Sequence, residues 1–254
     1  MNWLSPLAWV KASAVSLMRD PTSVVGAVLA YVVALTALGM LPVVGLVAAS
    51  LCMPYGIMLI FTASQSAATR QPMRWGVVRD WLADPFVRKN FALIGLFYCV
   101  VIFLTNLEYA VFAQDSVAQW ATTEDDRLVF SSVLEHMPWT AVALALVTFF
   151  AGQMALFFAP MLIAIKRLNF TKALFFSFFA CLKRAPLFLI LGAIWLLTCV
   201  GMGLAIAWIS EALSLESASG YLLVPVGIAV LCVLYGTIYP IWQDFFGALR
   251  QDRP

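Results

Sequence analysis

The chain has 254 residues, of which 63% are hydrophobic and 11% charged, with a formal net charge of +2. Ordinary soluble domains carry about 45–50% apolar and about 25% charged residues, and a water-soluble fold of this size cannot hide so much apolar surface. The composition excludes a soluble globular enzyme and implies one integral membrane domain over residues 1–254, without a polar linker or low-complexity tract; the basic residues come in small groups tied to membrane entry points, which does not suggest a nucleic-acid partner.

The amino-terminal stretch Met1 to Val10 has no basic residue ahead of its apolar run and is followed by Lys11, an order unlike that of a cleaved signal peptide. Beyond it, the charge-free gaps count the membrane crossings. A hydrocarbon core about 30 Å thick needs about 20 residues of apolar helix. No charge occurs between Asp20 and Arg70, and at about 1.5 Å per residue that gap is more than twice the core thickness. It must fold back, and Gly39, Pro42 and Gly45 mark the turn. The gaps Lys89 to Glu108, His136 to Lys166, Arg184 to Glu211 and Glu216 to Asp244 each fit one crossing. The predicted architecture is all-α and polytopic: six transmembrane helices at about 21–41, 43–68, 86–110, 138–165, 186–210 and 220–245, arranged as three hairpins.

Charge supports this count, because Lys and Arg concentrate in cytoplasmic loops. Six crossings place every basic residue except Arg127 on one side, for a net +9 inside and −7 outside, which together give the chain's +2. Five crossings would scatter the basic loops over both faces. Both termini are therefore expected in the cytoplasm.

Each odd-numbered helix follows a similar passage: Leu17-Met18-Arg19-Asp20-Pro21, Trp81-Leu82-Ala83-Asp84-Pro85 and Leu182-Lys183-Arg184-Ala185-Pro186. An Asp accepts hydrogen bonds from free amides at a helix start, and Pro suits the first helical position, so Asp20 and Asp84 read as caps rather than catalytic acids. The preceding stretches, 2–19, 73–83 and 168–184, mix aromatic and aliphatic residues with Lys and Arg, as interfacial helices on the cytoplasmic side do. The pattern is a threefold repeat of interfacial helix plus transmembrane hairpin. On the outer side, Tyr109 to Met137 forms an acidic loop with enough spaced apolar residues to hold a short surface helix.

Catalytic and metal motifs are missing from the sequence. The single histidine, His136, falls in the outer region, which leaves no HExxH pair, and no Gly-x-Ser-x-Gly element accompanies it. Cys52, Cys99, Cys181, Cys199 and Cys232 lie in or beside apolar runs without a CxxC pair and read as small buried hydrophobes. Gly26, Gly152, Gly192, Gly201, Gly203 and Gly227 read as points of close helix approach. Pro54, Pro160, Pro225 and Pro240 read as kinks, and Trp139, Trp208, Tyr221, Tyr239 and Trp242 as interfacial anchors. No catalytic, cofactor-binding or metal residue is assigned, and no cofactor is expected.

Two sets of residues remain as candidate sites. Polar groups at membrane depth are costly and tend to be functional; here they are Asn106, Glu108 and Gln153. Arg88, Lys89, Lys166, Arg167, Lys183 and Arg184 gather where helices meet the cytoplasmic leaflet and are candidates for anionic-lipid contact.

The passage Leu182 to Pro186, the apolar run Phe157 to Lys166 and the minimal turn Leu41-Pro42-Val43-Val44-Gly45 resemble uncharacterised proteobacterial six-span inner-membrane proteins. In layout the chain is similar to YciC-like proteins and to the membrane domain attached to some glycerophosphodiester phosphodiesterases. The resemblance implies a bacterial inner membrane and an unknown activity; the phosphodiesterase catalytic domain is absent, so no active-site residue is carried over. The expected function is a non-enzymatic, lipid-organising or complex-associated membrane component. Its expected partners are membrane lipids, together with another membrane protein or a second copy of the chain, and not nucleic acid. The alternative is a small-solute transporter or channel using Asn106, Glu108 and Gln153. A reporter fused at Asp125 should register outside the cytoplasm and one at the carboxyl terminus inside it; a cytoplasmic signal at Asp125 overturns the six-span topology.

Overall fold

A computed structural model describes residues 5–42, 44–121, 128–212 and 219–247. The charged loop residues Glu124, Asp125, Asp126 and Arg127, the link holding Glu216, and Arg250 and Arg253 lie outside the described residues. The described chain is helical apart from turns and one isolated bridge. It runs α1 (Ser5–Arg19), α2 (Pro21–Gly39), α3 (Gly45–Thr69), α4 (Val77–Ala83), α5 (Pro85–Phe112), α6 (Gln114–Val117), α7 (Phe130–Glu135), α8 (Trp139–Phe157), α9 (Ala159–Lys166), α10 (Phe170–Lys183), α11 (Ala185–Ala212), α12 (Ser219–Gly236) and α13 (Ile238–Trp242), closing in a π-helical turn, Gln243–Gly247.

Among the described residues, six helical segments are long and apolar enough to cross a membrane. Spans 1, 2, 3 and 5 are α2, α3, α5 and α11; span 4 joins α8 to α9, and span 6 joins α12 to α13 and the π-turn. The expected crossings are present with their ends shifted by a few residues. The first hairpin turns between the end of α2 at Gly39 and the start of α3 at Gly45, as those residues predict, and Gly45 is required there, since a Cβ would stand 2.8 Å from the Leu38 carbonyl oxygen. Helices precede spans 1, 3 and 5, as the repeat predicts, and the side on which these helices lie is called the basic face below.

The caps follow the sequence. Asp20 accepts from the Ser23 amide, and Asp84 from those of Phe86 and Val87. Spans 2 and 4 end in a left-handed arginine, Arg70 at φ 56° and Arg167 at φ 54°.

Spans 1 to 4 pack in sequence order, one glycine at each crossing. The Tyr31 ring of span 1 lies directly on Gly56 of span 2. A Cβ on Gly95 of span 3 would stand 2.7 Å from the Ser50 carbonyl oxygen, and one on Gly152 of span 4 would stand 2.5 Å from Val101. Lipid tails give helices no hydrophobic reason to associate, so close backbone approach supplies the contact. Gly26 likewise packs against Trp75, but Gly192, Gly201, Gly203 and Gly227 have nothing within 4 Å. The close-approach reading fails for those four because span 5 and the outer part of span 6 stand at the periphery. Cys199, on span 5, is exposed for the same reason, while Cys181 and Cys232 are buried as expected.

Span 4 is broken between α8 and α9, where Pro160 lacks an amide and crowds the preceding turn. A buried hydroxyl completes the break: Ser177 of α10 accepts from the Phe158 amide at 2.9 Å and donates to the Met154 carbonyl at 2.8 Å. It thus occupies the rung that Phe158 and Met154 would share in an unbroken helix. Span 6 repeats the device. Its helix breaks at Thr237 ahead of Pro240, and Ser13 of α1 donates to the Val233 carbonyl at 2.6 Å. Both serines are almost fully buried.

The breaks turn α9 and α13 into the main core. Phe158, Met161, Ile163 and Ile241 are inaccessible there, packed with Trp9, Phe61, Phe91 and Trp242. Tyr239 and Trp242 therefore act as packing residues rather than interfacial anchors: both rings stand edge-on to Phe61, at 5.6 and 6.0 Å. Trp139 and Trp208 are exposed as anchors should be; the Tyr221 side chain lies outside the described residues. Ser177→Ala is expected to lower stability by about 1–3 kcal/mol, because it leaves the Phe158 amide unpaired in an apolar setting. Thermal unfolding in detergent measures this, and an unchanged midpoint shows that the hydroxyl does not support the break.

Candidate functional site

The structure separates the three polar candidates at membrane depth. Asn106 is exposed, and its amide donates to the Ile102 carbonyl of its own helix at 2.7 Å. Glu108 is half-buried near the end of span 3 remote from the basic face. One of its carboxyl oxygens accepts from Thr148 of span 4 at 2.7 Å, and the other is buried without a partner. Gln153 does not meet Glu108, as the antiparallel pairing of their helices predicts.

Gln153 instead lines a cavity of about 320 Å³ with Tyr31, Tyr98 and Tyr235. At about 1.5 Å per residue these four stand roughly 15–20 Å from the basic-face ends of their spans, close to the middle of a 30 Å core. Met53, Ile57, Phe149, Leu156, Phe157, Leu234 and Ile238 complete the wall, with no ionisable acid or base among them. The Tyr31 and Tyr235 rings meet edge-on at 5.6 Å. The tyrosines escaped the sequence reading because phenols inside apolar runs look like ordinary packing; only folding brings three of them together.

Two further cavities flank the basic-face end of span 6. The first, about 350 Å³, lies between the ends of spans 2, 4 and 6; Phe61, Tyr239, Trp242 and Phe246 form its wall, with Gln65, Gln243 and Lys166 around it. The second, about 620 Å³ and more open, lies between α1 and span 6, with Lys11, Arg19 and Asp244 on its lining.

The six cationic candidates also divide. Arg167 forms an ion pair with Asp84 and lies 4.7 Å over the Phe86 ring. Arg184 forms an ion pair with Asp244 at 3.2 Å and lies 4.5 Å over Phe245. Arg88 donates to the Leu82 carbonyl. Lys89, Lys166 and Lys183 are exposed and make no ion pair among the described residues, and the same holds for Lys11 and Lys172. The arginines thus tie helices together, and the lysines remain available. No cluster of His, Cys, Asp and Glu able to hold a metal occurs among the described residues.

Comparison with known proteins gives one informative likeness. A probable inner membrane protein of Burkholderia thailandensis is 24% identical to this chain over 258 aligned residues, covering 97% of this chain and 92% of the relative. No protein family matches the chain, and no solved structure matches it.

Arg167, donating to Asp84, holds that carboxyl below the usual carboxylate range, and the Phe86 and Val87 amides act in the same direction. A depressed folded-state value contributes stability that is complete above the ordinary unfolded value of about 3.9 and is lost as pH falls through the lowered one. The thermal midpoint of the wild type in detergent should therefore drop as pH falls from about 5 toward 3, and that of Asp84→Asn should drop less. Parallel pH profiles for the two proteins contradict the link between Asp84 and stability.

Proposed function

We propose that the chain is a multi-pass inner-membrane protein whose basic face lies in the cytoplasm, and that it acts without chemistry of its own by binding and organising anionic lipid of the adjoining leaflet. The observation that carries this reading is the pair of cavities beside span 6, each joining an apolar wall to a lysine without an ion pair, Lys166 in one and Lys11 in the other. An acyl chain suits the wall and an anionic headgroup suits the ammonium. Arg167 and Arg184 are less suited, since carboxylates already neutralise both, whereas Arg19 on the second cavity, like Lys11, makes no ion pair among the described residues. The exposed apolar residues of α10, including Phe175, Phe176, Phe179 and Leu182, add surface suited to the acyl layer.

The inner-membrane assignment draws support from the Burkholderia thailandensis relative, a probable inner membrane protein, and a kinship with YciC-like proteins and the phosphodiesterase-linked membrane domain is part of the same proposal. A small-solute transporter is the second reading, favoured by the placement of Gln153 on a midplane cavity. Its support is narrow, because Asn106 and Glu108 do not line that cavity.

Native mass spectrometry of the purified protein should find phosphatidylglycerol retained in preference to phosphatidylcholine. Lys11→Ala and Lys166→Ala should each weaken that retention by about fivefold, the equivalent of about 1 kcal/mol per basic residue at a membrane surface. Equal retention of the two lipids, or saturable solute flux in reconstituted vesicles, overturns the lipid-organising reading.

A further inference from the structure

The midplane cavity presents a hydrogen-bonding problem. The Tyr31, Tyr98 and Tyr235 hydroxyls and the Gln153 carboxamide make no hydrogen bond within the protein among the described residues. Tyr31 is 94% buried, with 6% of its surface accessible. Unpaired polar groups at this depth are costly, since the hydrocarbon core offers no water to satisfy them. Each of the four can donate a hydrogen bond, so together they suit a ligand rich in acceptor oxygens.

Charge and access narrow the ligand further. With no acid or base on the lining, an ion brought to this depth would lack a counter-charge, at a cost of about 2.5 kcal/mol or more. Toward the basic face the lining ends at Leu156, Phe157 and Ile238, and Phe61, Tyr239 and Trp242 belong to the wall of the first lysine-lined cavity instead. The other end is differently built. Spans 4 and 5 meet near the basic face, where the Phe157 and Phe188 rings stand 5.2 Å apart, and farther out span 5 has Leu196, Leu197 and Leu204 exposed. Spans 4 and 6 both line the cavity, yet they are not among the helix pairs that pack extensively. Their contact is at the basic face, where Phe158 meets Trp242 and Phe246; farther out, the seam between them is the least packed among the helices that line the cavity.

We infer that this cavity binds an uncharged, lipid-soluble molecule whose carbonyl oxygens accept hydrogen bonds from Tyr98, Tyr235 and Gln153. The head of a quinone and the ester groups of a diacylglycerol share this chemistry. In both, the apolar remainder runs outward along the loosely packed seam between spans 4 and 6. The site is independent of the lysine-lined cavities, so either assignment can fail alone.

The test uses the purified full-length chain in detergent, with a short-chain alkyl-1,4-benzoquinone in one arm and dioctanoylglycerol in the other, each followed by equilibrium dialysis. Saturable binding near one molecule per chain is expected in at least one arm, and the arm that binds distinguishes a ring ligand from a glyceride. Tyr98→Phe and Gln153→Leu should each weaken binding by about two- to twelvefold, as the loss of one hydrogen bond does. Tyr98→Phe removes a single oxygen, so an unchanged thermal midpoint in that variant separates lost recognition from misfolding. Absence of saturable binding in both arms, full affinity in the Tyr98→Phe/Gln153→Leu double variant, or displacement of the probe by phosphatidylglycerol overturns the inference.

Discussion

Ser177 sits inside the backbone of span 4, and much of the structure follows from that one hydroxyl. By taking the Phe158 amide and the Met154 carbonyl, it makes the break at Pro160 tolerable in a setting without water. The break sends α9 inward, so that Phe158, Met161 and Ile163 become core residues. Around Phe158 gather Phe157, Trp242, Phe245 and Phe246, with ring centroids 4.8 to 6.2 Å away. An unbroken span 4 would carry Phe158 past this position and remove the ring against which Trp242, Phe245 and Phe246 of span 6 pack.

Two kinds of packing consequently divide the molecule. Spans 1 to 4 approach through glycines, and the backbone contact at Gly95 leaves no room for adjustment. Spans 5 and 6 are held near the basic face by rings and by the Arg184–Asp244 pair, while span 5 farther out is largely exposed. Glycine contacts need no side chain and can run the length of a crossing, whereas the aromatic cluster is local. The cavities lie where the second mode replaces the first.

The amino-acid sequence reveals the parts of this arrangement that depend on one segment at a time. Charge-free gaps located all six crossings, and the Asp-Pro pairs located the starts of spans 1 and 3, because a helix cap involves only its own first turn. The functions of Tyr239 and Trp242 were not visible in the same way. Near the end of an apolar run an aromatic residue serves equally as an anchor or as core, and the choice depends on whether the preceding helix breaks. That break in turn depends on serines far away in sequence, Ser13 on α1 for span 6 and Ser177 on α10 for span 4. The divided fates of Arg167 and Lys166 were hidden for a similar reason: adjacent cations look alike until Asp84, from another hairpin, neutralises one of them.

The two serines also bear on the repeat. Each belongs to the helix that opens one unit, and each enters the broken span that closes another: Ser177 precedes span 5 and enters span 4, and Ser13 precedes span 1 and enters span 6. The units are therefore joined in a cyclic sense, with the first helix of the chain completing its last span. Only the middle helix, α4, departs from this pattern. It has seven residues, and the span it would enter by analogy is span 2, which remains continuous through Pro54. A short opening helix and an unbroken partner span are consistent with each other, since without a hydroxyl to take up its freed groups a break in the backbone would be left unpaid in the core.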